Sequence, residues 1–106
     1  MSETEFHQLA DSIYLQIEDI IDDSGADLDY ENSGGVMTIT CEVDGSKVIL
    51  SRQPAIGEIW LAARSGGFHF KRDGKMWICA TKETLNEALS RVIEEQSAVC
   101  LEFNFY

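Results

Sequence analysis

The sequence predicts an α+β protein: a two-layer α-β sandwich in which an antiparallel meander of about six strands carries an N-terminal and a C-terminal helix on one face. Three observations predict it. Apolar residues recur at spacings of three and four near both ends, alternate with a period of two through the middle, and change period at turns rich in Gly and Asp. A chain of 106 residues suits one domain, 1–106, and is too short for two independent cores. Its 44% hydrophobic and 25% charged content belongs to a folded protein. No apolar run approaches the roughly 20 residues of a membrane helix.

The first helix is expected over residues 5–21, where Phe6, Leu9, Ala10, Ile13, Ile17, Ile20 and Ile21 make one continuous stripe. Ser2 or Thr4 can cap its start, and Ser24-Gly25 ends it. Asp27, Asp29 and Glu31 then alternate with Leu28 and Tyr30 as a half-buried strand. Ser33-Gly34-Gly35 turns into a second strand, Val36–Val43, with Met37, Ile39, Cys41 and Val43 on one side and Thr38, Thr40 and Glu42 on the other. Asp44-Gly45 is a hairpin signal leading to a third strand, Lys47–Arg52, and Pro54 lies in the loop that follows. Glu58–Ala63 and Gly67–Lys71 are the fourth and fifth strands, and Asp73-Gly74 turns into Met76–Ala80.

The second helix starts at Thr81 or Thr84 and runs to about Gln96, with Leu85, Ala88, Leu89, Val92 and Ile93 facing inward. Thr84 and Glu87 have capping-box spacing, whereas Thr81 and Thr84 do not. The tail Val99–Phe105 alternates and is expected to pack on the core as a short extension. Helices on one side leave the other sheet face open to water.

Charge is the unusual feature. Nineteen acids against eight bases give a net charge of −11. The first base is Lys47, so residues 1–46 hold 12 acids and no base, while residues 47–106 are nearly neutral at 7 acids and 8 bases. Such a surface repels nucleic-acid phosphates and anionic lipid and attracts cations or a basic protein surface. Glu18 with Asp22, and Asp19 with Asp23, are like-charge i,i+4 pairs, each costing a helix about 0.2–0.5 kcal/mol. All four lie in the last turns, where the helix dipole disfavours anions by roughly 0.3–1 kcal/mol apiece at low salt. Asp27, Asp29 and Glu31 share one strand face beside them. A solvated face is the ordinary fate of a charge run, but it carries mixed signs and this ridge does not. Clustered carboxylates bind hard cations such as iron, Mn, Mg, Ca or lanthanides. The EF-hand loop and the Glu-x-x-His pairs of di-iron bundles are absent, which leaves an open surface of low selectivity.

Glu3, His7 and Asp11 stack at i, i+4, i+8 beside the apolar stripe, as a weaker mixed-donor metal site or as an ordinary exposed histidine with acidic neighbours. His69 alternates out of phase with Phe68 and Phe70 and is expected to face solvent with no chemistry assigned. In the fourth strand Ile59, Leu61 and Ala63 must face the helices, which sends Glu58, Trp60 and Ala62 to the open face. There Trp60 is either a binding hot spot or an aromatic shielded by a neighbouring strand, and Trp77 has the same ambiguity. Cys41, Cys79 and Cys100 lack CxxC spacing and read as small core residues of a reducing, cytoplasmic compartment. The N-terminus MSETEFHQL is acidic and amphipathic, so no secretory signal is expected. Nucleophile elbow, P-loop and dinucleotide fingerprint are all missing, which makes an enzyme the weakest class.

These residues resemble the frataxin family, most closely its bacterial branch. The resemblance rests on the acidic first helix, the Ser33-Gly34-Gly35 turn, Ser51-Arg52-Gln53-Pro54, Ile59-Trp60-Leu61-Ala62, Ser65-Gly66-Gly67-Phe68-His69-Phe70 and Gly74 with Trp77-Ile78-Cys79, from Glu5 to about Glu95. It implies an α-β-α sandwich and weak binding of iron, Fe(II) or Fe(III), through Glu18, Asp19, Asp22, Asp23, Asp27, Asp29 and Glu31. It further implies a role in iron–sulfur cluster assembly, as iron donor or as regulator of the cysteine desulfurase. Glu18, Asp22 and Asp23 would also dock that enzyme, and Trp60 matches the sheet tryptophan turned towards the scaffold and desulfurase machinery. A monomer that iron can drive to oligomerise is the expected state. The chain departs from the family pattern at Ser51, where the family has asparagine, at Glu58, where it has glutamine, and at Pro54, displaced by one.

Overall fold

A computed structural model describes residues 1–104. Helix α1 (Glu3–Ser24) precedes strands β1 (Leu28–Ser33), β2 (Val36–Cys41), β3 (Ser46–Gln53), β4 (Glu58–Ala63), β5 (Gly66–Asp73) and β6 (Met76–Ile78), and helix α2 (Leu85–Ser97) follows. The strands form one antiparallel sheet in sequence order, a pure meander with β1 and β6 at its edges.

Each helix is bounded by the chemistry its sequence offers. The Ser2 side chain accepts the Glu5 N–H at the start of α1, and Gly25 closes it in the left-handed conformation at φ 67°. At α2 the capping is reciprocal: Thr84 Oγ1 accepts from Glu87 N at 3.2 Å, and Glu87 Oε1 accepts from Thr84 N at 3.0 Å. Thr84, not Thr81, is therefore the cap, and its hydrogen bonds hold the Glu87 carboxyl below its usual range.

One core holds the layers together. Phe6, Ala10, Ile13, Tyr14, Ile17 and Ile21 of α1 and Leu85, Ala88, Leu89, Val92 and Ile93 of α2 meet the inward sheet row of Met37, Ile39, Cys41, Val48, Leu50, Ile59, Leu61 and Phe70. Both helices thus lie on one side. Trp77 belongs to this core at 1% exposure, with its ring edge-on to Phe6 at 5.9 Å, which resolves its ambiguity.

Several expectations need correcting. Strand β2 stops at Cys41, and Val43 is 71% exposed in the 42–45 turn. Asp44 N and Gly45 N both bond to Cys41 O, so this link is a four-residue loop and not a two-residue Asp-Gly turn. Val43 consequently leaves the pleat alternation that would have turned it inward. Tyr14, outside the expected stripe, is buried because its hydroxyl donates to Gly35 O at 3.0 Å. Cys41 and Cys79 are buried, but Cys100 is exposed, since it follows the end of α2. Among the described residues the tail forms no strand. It packs through buried Phe103 and half-buried Val99 and Leu101, and Phe105 lies outside the described residues.

The capping and the core make a paired prediction. Thr84→Ala should lower unfolding free energy by about 1 kcal/mol and Leu89→Ala by about 2–5 kcal/mol, both read by urea denaturation. Thr81→Ala should cost little, and an equal loss at Thr81 would show that the cap has been misplaced.

Candidate functional site

The acidic residues sit where α1 runs into edge strand β1. Glu18, Asp19, Asp22 and Asp23 occupy the last two turns of α1, which has no basic residue in its final turn. Asp27 follows the Gly25 cap, and Asp29 and Glu31 are on β1. Six of the seven carboxylate residues are exposed and Glu18 is half-buried.

The pleat distributes them around the sheet edge. Leu28 and Tyr30 pair with buried Cys41 and Ile39, so they face the helices, whereas Asp29 and Glu31 pair with Thr40 and Thr38 on the open side. Tyr30 joins the two groups: its hydroxyl donates to Asp22 Oδ2 at 2.8 Å. The carboxylates therefore form a band that wraps the edge and do not occupy one flat face. Among the described residues, no group of three or more His, Cys, Asp or Glu side chains converges tightly enough to enclose a metal ion.

Neutralisation separates these acids from two others in the acidic half. Elsewhere in the acidic half, Asp11 pairs with Arg52, and Asp44 pairs with Arg64 at 2.7 Å. The hydrogen bond from Arg64, helped by bonds from Ser46, lowers the Asp44 carboxyl to about 2. Glu18, Asp19, Asp22, Asp23, Asp27, Asp29 and Glu31 make no ion pair among the described residues. Tyr30 registers the resulting field. Its proton is held by the hydrogen bond to Asp22, then by partial desolvation and by the charges of Asp22, Glu18 and Asp19, and its phenol is pushed up to about 12.

The Glu3–His7–Asp11 face already contains a cation. The Arg52 guanidinium reaches across from β3, with one nitrogen 3.1 Å from His7 Nδ1 and another bonded to Asp11. It lies over the Tyr14 ring at 4.7 Å, and its side chain is only 11% exposed. A guanidinium only donates, so His7 Nδ1 accepts and the neutral ring carries its proton on Nε2, towards Glu3 at 3.9 Å. A metal ion held by these three side chains would have to displace Arg52. Nothing local in the sequence signals this contact, because 45 residues separate the partners.

On the open sheet face Trp60 is half-buried and stacks on His69, with ring centroids 4.1 Å apart and planes 8° from parallel. His69, expected to face solvent with no chemistry assigned, is thus part of this aromatic site. The signal was available in hairpin counting: a two-residue link at Arg64-Ser65 pairs residue 60 with 69 and residue 58 with 71.

Fold and surface define a class: a helix–meander–helix sandwich with an unneutralised acidic edge and a tryptophan on its bare sheet face. The frataxin-like domain model matches residues 1–99. The iron-sulfur cluster assembly protein CyaY of Stutzerimonas stutzeri is 49% identical over 106 residues, covering 97% of this chain and 96% of that protein. The protein of the same name from Vibrio cholerae is 56% identical over 80 residues, 76% of each chain. The solved frataxin of Psychromonas ingrahamii superposes with a TM-score of 0.92 at 35% identity, over 98% of this chain and 99% of that one. The chain belongs to the frataxin-like family.

The Tyr30–Asp22 bond gives a titration test. Absorbance of tyrosinate in the folded protein should show one phenol ionising near pH 12, and Asp22→Asn should bring it down towards the ordinary value of 10. Because the folded state holds this proton more tightly than the unfolded chain, its contribution to stability is full below pH 10 and lost as pH rises through about 12. Superimposable titrations of the two proteins would remove Asp22 as the cause.

Proposed function

We propose that this chain is an iron-binding protein of iron–sulfur cluster assembly, acting as iron donor, as regulator of the cysteine desulfurase, or as both. The observation that carries this reading is the band of seven carboxylates without a counter-cation among the described residues, beside Asp11 and Asp44 of the same half, which each have an arginine. The relatives' printed name, iron-sulfur cluster assembly protein, supports it. Iron is then cargo. Exposed oxygen donors suit a hard cation, and donors that do not converge suit weak, exchangeable holding. Glu18, Asp19, Asp22 and Asp23 at the helix end and Asp27, Asp29 and Glu31 along the edge strand would hold it, and Mn, Mg, Ca or lanthanides could take its place.

Glu18, Asp22 and Asp23 would also dock on a basic patch of the desulfurase, while Trp60 on the open face meets the scaffold machinery. The role is one of binding and regulation in the cytoplasm, not catalysis, by a monomer that iron can drive to associate. A second reading is favoured by one observation, the lack of a converging three-ligand group among the described residues. In it the band is an acidic protein-binding module, and metals are incidental counter-ions.

Calorimetric titration with Fe(II) separates the two. At about 0.15 M salt, where the Debye length is roughly 8 Å, the iron reading expects binding to persist and the protein-binding reading expects it to vanish. Reversing Asp22 and Asp23 to lysine should weaken both iron uptake and desulfurase pull-down, and unchanged values would defeat the proposal. Asp23→Lys alone should raise stability by about 0.3–1 kcal/mol at low salt, because it places a cation at the negative end of the α1 dipole. Weaker binding would then not be unfolding in disguise.

A further inference from the structure

A second arrangement lies at the centre of the open sheet face, away from the acidic edge. Glu58 and Trp60 on β4 face Lys71 and His69 on β5 through direct register pairs. Glu58 is the unexpected member, a carboxylate on the water side of the sheet whose side chain is only 9% exposed. Its Oε1 accepts the Trp60 indole N–H at 2.8 Å and lies 3.9 Å from His69 Nδ1, and its Oε2 is 3.6 Å from Lys71 Nζ. His69, 59% exposed, lies flat on Trp60. One carboxylate oxygen therefore serves both rings of the stack.

Neutral and protonated imidazole place different demands on that oxygen. The neutral ring has one N–H and no net charge, and 3.9 Å is too long for a hydrogen bond. The imidazolium carries N–H at both nitrogens and a full positive charge, and histidine is the side-chain type whose charge change ordinarily falls between about pH 5 and 8. The charged ring is drawn to Glu58 Oε1, which has a second lone pair for it beside the indole N–H, and a cation on the indole face strengthens the stack. Other charged or titratable groups around His69 are few. Its own strand supplies Lys71 and Asp73, and the segment after β6 supplies Cys79 and Lys82 along the same cleft. Next to β4, strand β3 places only Ser51 and Gln53 opposite Trp60 and Glu58. Among these groups Glu58 is the carboxylate within ion-pair range of the ring.

The geometry points to a pH-sensitive clasp on Trp60. Protonation of His69 draws its ring towards Glu58 and pins it on the indole, whereas the neutral ring is held there by stacking alone and can yield the indole face to a partner. The use of this clasp in docking rests on the partner-facing role proposed for Trp60, whereas the clasp itself does not. Glu58 supplies the charge on which it depends.

Nitrogen-15 NMR of the intact protein tests it, because the indole N–H signals of Trp60 and buried Trp77 are separate probes. Between pH 5 and 8 the Trp60 signal should shift sigmoidally while that of Trp77 stays still. His69→Gln should abolish the shift. Glu58→Gln, which keeps an acceptor oxygen but removes the charge, should shrink it. A Trp60 signal flat in the unaltered protein, or a shift of full size in His69→Gln, would overturn the clasp. Desulfurase and scaffold pull-down with Trp60→Ala tests the docking role on its own. Lost capture with a pH-invariant indole would sink the clasp and spare the docking role. Retained capture with a titrating indole would do the reverse.

Discussion

A six-stranded sheet served by only two helices can bury just one of its faces, and the other properties of this protein follow from that constraint. The inward row from Met37 to Phe70 is aliphatic and aromatic because both helices must be satisfied from it. The outward row is then free to carry residues that a core would reject. Glu58, Trp60, His69 and Lys71 form a polar and aromatic centre there, with Trp60 and His69 stacked across β4 and β5. The same topology leaves β1 as an edge strand, and Asp29 and Glu31 on it discourage another chain from adding to the sheet.

That edge protection is the ordinary explanation for acids on β1, but it does not extend to α1. Four carboxylates at a helix C-terminus oppose the dipole and one another. The core tolerates them: a fully buried stripe from Phe6 to Ile21 stabilises α1 by far more than these few tenths of a kcal/mol each. Surplus packing energy in the first four turns permits an unfavourable last turn. The contrast within one helix is instructive, since Asp11 near its start is neutralised by Arg52 while Asp22 near its end meets only the Tyr30 hydroxyl.

Arg52 also explains how the helix is held in register with the sheet. It touches His7, Asp11 and Tyr14 along successive turns of α1, and Tyr14 in turn bonds to Gly35 O in the β1–β2 turn. Gly35 has φ 82°, the left-handed backbone that favours glycine, and it turns the chain alongside the Arg52 side chain. An acidic half that cannot neutralise itself thus takes a mostly covered cation from the other half of the chain.

The sequence alone determined what depends on short range. Periodicity placed the helices and strands, Thr84 with Glu87 located a cap, and the local lack of lysine and arginine located the acidic edge to within a few residues. Tertiary structure decided what depends on pairs distant along the chain. It put Arg52 into the Glu3–His7–Asp11 face and buried Glu58 beneath Trp60 and His69. It also let Tyr30, on the helix side of β1, bond to Asp22 while Asp29 and Glu31 beside it face the open side. Period and capping are properties of neighbouring residues, whereas burial and ion pairing depend on which surfaces the fold brings together, and no local window of sequence contains both partners.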